Sequence, residues 1–481
     1  MNKFATNVAI MSFAPLITQA LSIAITPIIT RLYSPEDFGL FALFGAIVSP
    51  IAIFANLGYN TAIVVPDEED EANKIFVLNV ILTLIFSSIL LLFLVFFNKV
   101  IFDRFNLSVL QDLVFLIPIA VIIHGLYSSV RYLNIRNEKY WNLSIAKIFR
   151  FLSDNITTLS FGFLNLGSGV VLIVAGLIGG TVSLLTLSRT IISHIKSLSE
   201  HISLQTLLVT AKKYSNFPKY LIINDFVSRI SSQMPIYIIS LFYSDKILGF
   251  YALSLRLLSV PMNFLGNSIG EVFFQNAAED KHNIPSILRS LFKYLVLLGV
   301  PGFSIIMIFG EDIFILLFGQ EWSDAGKMSQ ILSLSLFSKF IIIPASYLIL
   351  IYDDQHMLMN LNISSLILGA IALIFGGMND NLLLSVILYS VIISAINFVY
   401  GFYAMNRAGL HYKEVFRMLV IYGGSAIPLL MAFVIIDHTS LMTPLNKLVT
   451  VLIVSIAYYV IAFFRMPESV MIMDSIRKKI H

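Results

Sequence analysis

The sequence predicts an all-α polytopic membrane protein of about 14 transmembrane helices, with two pseudo-symmetric six-helix lobes followed by two extra C-terminal helices. Three observations predict it. Of 481 residues, 58% are hydrophobic and 12% charged, with a mean hydropathy of +0.87, whereas a soluble domain carries about a quarter charged residues. Apolar runs long enough to cross roughly 30 Å of hydrocarbon as helix, about 20 residues each, recur along the whole chain. Finally, "YSPEDFGLFAL" at 33–43 returns as "YSDKILGFYAL" at 243–253.

Spans are predicted at 8–30, 38–57, 75–97, 110–130, 143–163, 169–187, 220–242, 247–271, 294–310, 328–351, 359–376, 382–404, 418–436 and 448–464. Helices are required because lipid cannot satisfy backbone hydrogen bonds, and an open sheet edge has no place there. The connections are short, so no extramembrane domain is expected. The first apolar segment is too long for a signal-peptide core and lacks a small-residue cleavage site, so it reads as a retained span. Cysteine is absent, which removes disulfides, thiolate metal sites and cysteine nucleophiles. The eight histidines show no metal-ligand spacing, so neither a metal nor a cofactor is expected. A net charge of +3 gives no sign of nucleic-acid binding.

Basic residues set the orientation. With the N-terminus in the cytoplasm, and with Lys147 and Arg150 counted to the inner surface, the inner segments hold 22 of the 31 Lys and Arg and the outer segments 6. Both termini are therefore expected in the cytoplasm. Segment 188–219 places Ile191, Ile195, Leu198 and Ile202 at helical spacing beside Arg189, Lys196, Lys212 and Lys213. That pattern suits an amphipathic helix on an anionic inner leaflet. The tail 465–481, with Val470, Met473, Ile476 and Ile480 on one side, is a weaker version and reads equally as a frayed basic end. The acidic stretch 66–74 reads as a solvated inner loop, with the basic linker as an alternative partner.

At an offset of 210, Tyr33, Ser34, Gly39, Ala42 and Leu43 meet Tyr243, Ser244, Gly249, Ala252 and Leu253. Such a repeat is weighed before other signals. The offset covers an even number of spans, so the copies share one orientation and form a parallel repeat. This divides the chain into an N-lobe at 1–187, a cytoplasmic linker at 188–219, a C-lobe at 220–404, and the last two spans with their tail at 405–481. Lobes of this kind are a transporter architecture, with a cavity between them that opens to either side in turn. The first copy itself reads as a helix start, with Ser34 as N-cap, Pro35 at the first helical position, and Glu36 and Asp37 in the first turn.

Asp154, Asp225, Arg229, Arg256 and Lys339 fall inside spans. Facing lipid, five charges at about 2.5–3.5 kcal/mol each would cost on the order of 15 kcal/mol. They must pair or line a wet cavity. Asp225 and Arg229 stand at i and i+4 and equally read as a helical ion pair. Arg150 and Asp154 allow the same reading, with Lys147 and Arg150 snorkelling to the inner surface as another. Arg256 and Lys339 have no local acidic partner. Together with Arg229, and with Arg31 at the outer end of the first span, they are the candidate substrate-binding cations. A guanidinium fits phosphate geometry better than an ammonium does. Asp225 and Asp154 are candidates for ion coupling. His124, alone in an apolar helix, reads as packed or as proton-carrying. "GLIGG" at 176–180 lacks the residues of a phosphate loop and reads as close helix packing.

At "RLYSPEDFGLFALFGAIVSPIAIFANLGYNTAIVVPDEEDEANKIF", and again at "LGFYALSLRLLSVPMNFLGNSIGEVFF" from 248 to 274, the chain resembles the polysaccharide transporter family. These are the O-antigen (Wzx-type) flippases of the multidrug and oligosaccharidyl-lipid exporter superfamily. The resemblance rests on Tyr33 to Gly39, the Ala-Asn-Leu-Gly turn at 55–58 and the acidic loop after Val65. It implies a non-enzymatic flippase in a bacterial inner membrane, moving undecaprenyl-diphosphate-linked oligosaccharide from the cytoplasmic to the periplasmic leaflet by alternating access. The product would serve O-antigen, capsule or exopolysaccharide synthesis. Membrane lipids, a coupling proton or sodium ion and polysaccharide assembly proteins are the implied partners. The family's cavity-arginine role carries over to Arg31 and Arg256.

Two alternatives compete with this reading. A drug or toxin exporter of the same superfamily usually presents cavity acids to cations, whereas the excess of candidate charges here is basic. A membrane polysaccharide polymerase or glycosyltransferase needs a sizeable outer loop with catalytic residues. The longest outer connection, 311–327, offers only Glu311, Asp312, Glu321 and Asp324.

Overall fold

The computed structural model describes residues 3–104, 108–189, 203–262, 284–352, 354–438 and 443–464. The expected linker positions Ile191, Lys196 and Ile202, the end of the eighth span and the basic tail lie outside the described residues. Within them the chain is helical throughout: α1 (Lys3–Leu32), α2 (Pro35–Ile51), α3 (Glu69–Arg104), α4 (Leu116–Arg136), α5 (Tyr140–Phe163), α6 (Gly169–Ser188), α7 (Leu204–Lys213), α8 (Asn216–Phe242) and α9 (Asp245–Pro261). Next come α10 (Ile284–Phe318), α11 (Ser323–Ile341), α12 (Ile343–Ile351), α13 (Gln355–Met378), α14 (Leu382–Arg407), α15 (Tyr412–Gly424), α16 (Ile427–Asp437) and α17 (Pro444–Phe464).

Every expected span coincides with one of these helices or with a bent pair. Among the described residues, eight helices are long and apolar enough to cross a membrane, or ten if each of two bent pairs is one span. The shortfall from fourteen has physical causes. The helices α5 and α8 carry Lys147, Arg150, Asp154, Asp225 and Arg229, which lower their hydropathy. The described part of α9 is short, and the apolar stretch within α17 runs only from Leu445 to Val460.

The helices gather into two compact units, one formed by 1–253 with 362–380 and the other by 254–361 with 381–481. In the first, α1 and α6 flank α5, and α2 packs on both α6 and α8. Close contact is built from small residues, as helices in lipid require. A Cβ on Gly179 would meet the Arg150 carbonyl oxygen at 2.8 Å, and one on Gly180 would lie 3.0 Å from Ile123. The glycines at 176–180 are therefore packing residues.

Ser34 caps α2 as its sequence predicts. Its hydroxyl accepts from the Asp37 amide, the Asp37 carboxylate accepts from the Ser34 amide at 2.9 Å, and Pro35 opens the helix. The turn at 55–58 also has a physical reason. Leu57 and Gly58 adopt φ of 49° and 74°, a left-handed pair that reverses the chain at the cost glycine minimises. Beside it, buried Asn56 donates to the Thr83 hydroxyl at 3.0 Å, the Gly125 carbonyl at 3.2 Å and the Ser129 hydroxyl at 3.0 Å, tying the turn to α3 and α4.

The repeat is legible in backbone geometry. The Tyr33 amide donates to the Ile29 carbonyl at 3.0 Å, and the Tyr243 amide to the Ile239 carbonyl at 2.8 Å. Phe38 bonds back to Ser34 as Leu248 does to Ser244. Each partner is displaced by 210 positions, so the two copies build the same helix stop and restart.

The linker helix α7 docks on the acidic loop, the alternative partner named above. Lys213 forms an ion pair with Glu71, and the Tyr59 hydroxyl donates to the Ala211 carbonyl at 2.8 Å. Leu207 is buried against the neighbouring core, while Leu204, Leu208 and Val209 stay exposed. Arg136 donates to the carbonyls of Ile63, Pro66, Asp67 and Glu68, holding the loop from its other side. The loop is thus only partly solvated.

In the second unit, α10 and α11 form the closest pair. A Cβ on Gly326 would reach the Glu311 Cα at 2.6 Å and the Gly310 carbonyl oxygen at 2.7 Å. A serine-rich seam joins α11 to α14: Ser390 donates to the Ile331 carbonyl at 2.7 Å and Asn397 to the Ser338 hydroxyl at 3.0 Å. The last spans pack on α10, where Phe433 meets Phe309 edge-on at 5.9 Å and the Tyr459 hydroxyl reaches the Leu298 carbonyl.

Candidate functional site

Each predicted charge can now be placed. Arg31 is exposed in the last turn of α1, where the helix dipole favours a cation. Asp154 is half-buried on α5, with its Cβ 3.2 Å from where a Cβ on Gly179 would lie. Asp225 and Arg229 are exposed on α8. Arg256 is exposed on the half of α9 that belongs to the second unit, and Lys339 is exposed in the last turn of α11.

The structure brings Asp225 and Arg229 within electrostatic reach of each other, but no direct ion pair joins them. Their i, i+4 spacing alone does not neutralise them. Arg229 and Arg150 both lie within electrostatic reach of His124. These three groups come from α8, α5 and α4, and all three side chains are exposed. Arg229 is the central residue of the 27-residue α8. Arg150 stands about 15 Å into α5, counting 1.5 Å per residue from Tyr140, and His124 about 12 Å into α4, counting from Leu116. Arg150 therefore does not sit at a helix end.

Asn60 donates to the Ser128 hydroxyl at 2.7 Å, one turn along α4 from His124. The first unit thus carries two guanidiniums, an imidazole and the Asp225 carboxylate away from the ends of α4, α5 and α8. Arg150 and His124 are the additions that sequence reasoning did not rank as site residues. Arg150 reads in sequence as a helical partner of Asp154 or as a snorkelling residue, and His124, among apolar neighbours in sequence, as packed or proton-carrying.

In the second unit, Lys339 is exposed between the buried residues Ser338 and Phe340. Three residues on, the span breaks at Ile342, where α11 and α12 meet at a bend of 48°. A bend frees carbonyl groups at mid-span, which the bilayer tolerates only inside protein or beside water. Among the described residues, no carboxylate lies within ion-pair distance of Lys339. A crevice of about 180 Å³ between α12, α13 and α14 is lined by Tyr352, Asp354, Tyr403 and Arg407 and contains none of the predicted residues. Among the described residues, no group of three or more His, Asp or Glu could hold a metal ion.

The comparisons with known proteins agree with this architecture. The fold resembles that of the lipid II flippase MurJ in an inward closed conformation, with a TM-score of 0.77 at 14% identity, covering 97% of this chain and 99% of that one. An inward-facing multidrug resistance MATE family transporter of the MOP superfamily matches with a TM-score of 0.62 at 14% identity, over 85% of this chain and 95% of that one. At these identities the likeness shows the fold, a two-lobe helical transporter fold. In sequence, the chain is 23% identical to the succinoglycan biosynthesis transport protein ExoT of Rhizobium meliloti over 336 residues, 68% of this chain and 65% of that one. It is 25% identical to the probable low-salt glycan biosynthesis flippase Agl15 of Haloferax volcanii, over 62% of this chain and 61% of that one. The match thus spans a little under two thirds of either relative. The family model described as "Polysaccharide biosynthesis protein" matches residues 28–327, and the chain belongs to that family.

Proposed function

We propose that this protein is a flippase that moves undecaprenyl-diphosphate-linked oligosaccharide from the cytoplasmic to the periplasmic leaflet by alternating access between lobes at 1–187 and 220–404. The observation that carries this reading is that Arg150, Arg229 and His124, exposed on three different helices away from the helix ends, lie within electrostatic reach of one another about His124. Groups this polar cannot face lipid together, since each charge there would cost about 2.5–3.5 kcal/mol. An aqueous cavity holding a multiply charged anion meets the requirement. A diphosphate supplies the charge, its oxygens match guanidinium donors, and the prenyl chain remains in lipid.

Arg229, Arg256, Lys339 and Arg31 are proposed to hold the substrate, with Arg150 and His124 joining Arg229. Asp225 and Asp154 are the acids through which a proton or sodium ion would bias the cycle. Binding drives net movement only where the inward and outward states differ in affinity. We place the protein in a bacterial inner membrane with both termini cytoplasmic, serving O-antigen, capsule or exopolysaccharide synthesis without enzymatic chemistry of its own.

Deletion of the gene tests this directly. Accumulation of lipid-linked repeat units on the cytoplasmic face is the expected result. Unchanged surface glycan with altered dye resistance would instead identify a drug exporter. With a working assay, Arg256→Ala is expected to abolish complementation at normal membrane abundance, and full activity would remove Arg256 from the site.

A further inference from the structure

The repeated stretch does more than start two helices. Gly39 on α2 and Gly249 on α9 are equivalent positions of the repeat. A Cβ on Gly39 would lie 2.1 Å from the Asp245 carbonyl oxygen, and one on Gly249 would lie 1.8 Å from the Pro35 carbonyl oxygen. Asp245 and Pro35 are themselves equivalent, each four residues before its own glycine. The contact is therefore reciprocal: each copy presses its glycine onto the backbone of the other, with either Cβ position 3.2 Å from the facing glycine's nitrogen. No side chain other than hydrogen fits at either place.

We infer that this crossing of α2 and α9 is a seal at the Ser34 end of the membrane domain, one that closes when the two glycines meet and parts in every transport cycle. The geometry suits a reversible closure. Backbone-to-backbone contact is tight when made, and parting it breaks packing rather than a covalent or deeply buried ionic link. Because the two contacts are reciprocal, one displacement of α2 from α9 separates both together. Gly45, six residues further along α2, has no atom within 4 Å of its Cβ position, so the tight fit is confined to the crossing. The inference rests on the transporter reading and on its orientation, with the Ser34 end outward, and it adds which residues close that end.

The absence of native cysteine allows a clean test. Ser49→Cys on α2, about 15 Å beyond Gly39 at 1.5 Å per residue, is exposed to a membrane-impermeant maleimide in right-side-out and inside-out vesicles. Adding G39A or G249A is expected to raise labelling from the outer side by at least about fivefold, by shifting the population toward the parted state. G45A is expected to change nothing. Unchanged labelling in both glycine variants, at normal protein level, would overturn the seal.

Because the glycine variants can also misfold, a second measurement locks the native crossing. Glu36 and Lys246 are equivalent, exposed residues one turn before the glycines. E36C/K246C joined by a short bismaleimide is expected to lose glycan export, while either single cysteine variant with the same reagent keeps it. Export that continues in fully cross-linked protein, or failure of two reactive thiols to cross-link, would refute the proposal. A wrong flippase reading shows itself separately, as a gene deletion without a glycan phenotype alongside an intact labelling response.

Discussion

The Asp37 carboxylate holds the start of two helices at once. One oxygen accepts from the amide and hydroxyl of Ser34 at 2.9 Å, closing the capping box of α2, and the other accepts the Gly169 amide at 2.5 Å where α6 begins. Asp37→Ala removes both and leaves unpaired donors at two helix N-termini. Charge-assisted bonds of this type contribute about 1.5–3 kcal/mol each, so a lowered thermal midpoint in detergent is expected. Asp37→Asn should fall between, since it keeps the acceptor shape and loses the charge. A midpoint unchanged in Asp37→Ala would show that water replaces the carboxylate without cost.

Asn56 gives a second stability prediction. Its amide is buried and bonded to α3 and α4 at once. Asn56→Leu removes three donated hydrogen bonds at a buried site, although the Gly125 carbonyl keeps the Ser129 hydroxyl as a donor at 3.0 Å, and should destabilise the protein by about 1–2 kcal/mol, the upper range for polar contacts between membrane helices. Thermal unfolding of purified protein checks it.

Arg229 separates charge from geometry. Arg229→Ala is expected to abolish glycan export, whereas Arg229→Lys keeps the charge, loses the bidentate fork and should retain partial export. Arg150→Ala should reduce export as well, and the Arg150→Ala/Arg229→Lys double variant should lose less than the two single losses combined, as neighbours serving one ligand do. Strict additivity would place the two arginines in separate roles.

The Lys213–Glu71 pair predicts how the linker is held. The hydrogen bond to Glu71 raises the Lys213 pKa above its ordinary value. A raised folded-state pKa means that the contribution is fully present below the ordinary lysine value and is lost as pH rises through the higher folded value. Near neutral pH, Glu71→Gln should make α7 more sensitive to proteolysis, and high salt should have the same effect on the wild type. The charge exchange Glu71→Lys with Lys213→Glu should restore protection.

How much of this could be read in advance depends on the range of the interaction. The Ser34 cap, the proline start of α2 and the packing role of the glycines at 176–180 follow from local rules, because a helix terminus or a missing side chain acts within a few residues. Ion pairing was less legible. Asp225 and Arg229 have helical spacing for a bridge, yet the side chains do not close it, since rotamers respond to neighbours from other helices. Arg150 reads in sequence as a partner of Asp154 or as a residue snorkelling to the inner surface. Its place near His124 depends on how α4 and α5 pack.

The sequence by itself determined that the chain is a helical membrane protein carrying a repeated stretch, because hydropathy and backbone hydrogen bonding leave lipid-embedded segments no other form. Tertiary structure alone decided which charges meet and that equivalent glycines of the two repeats touch. Both are long-range facts: helices distant in the chain become neighbours only through side-chain packing, which a one-dimensional pattern does not encode.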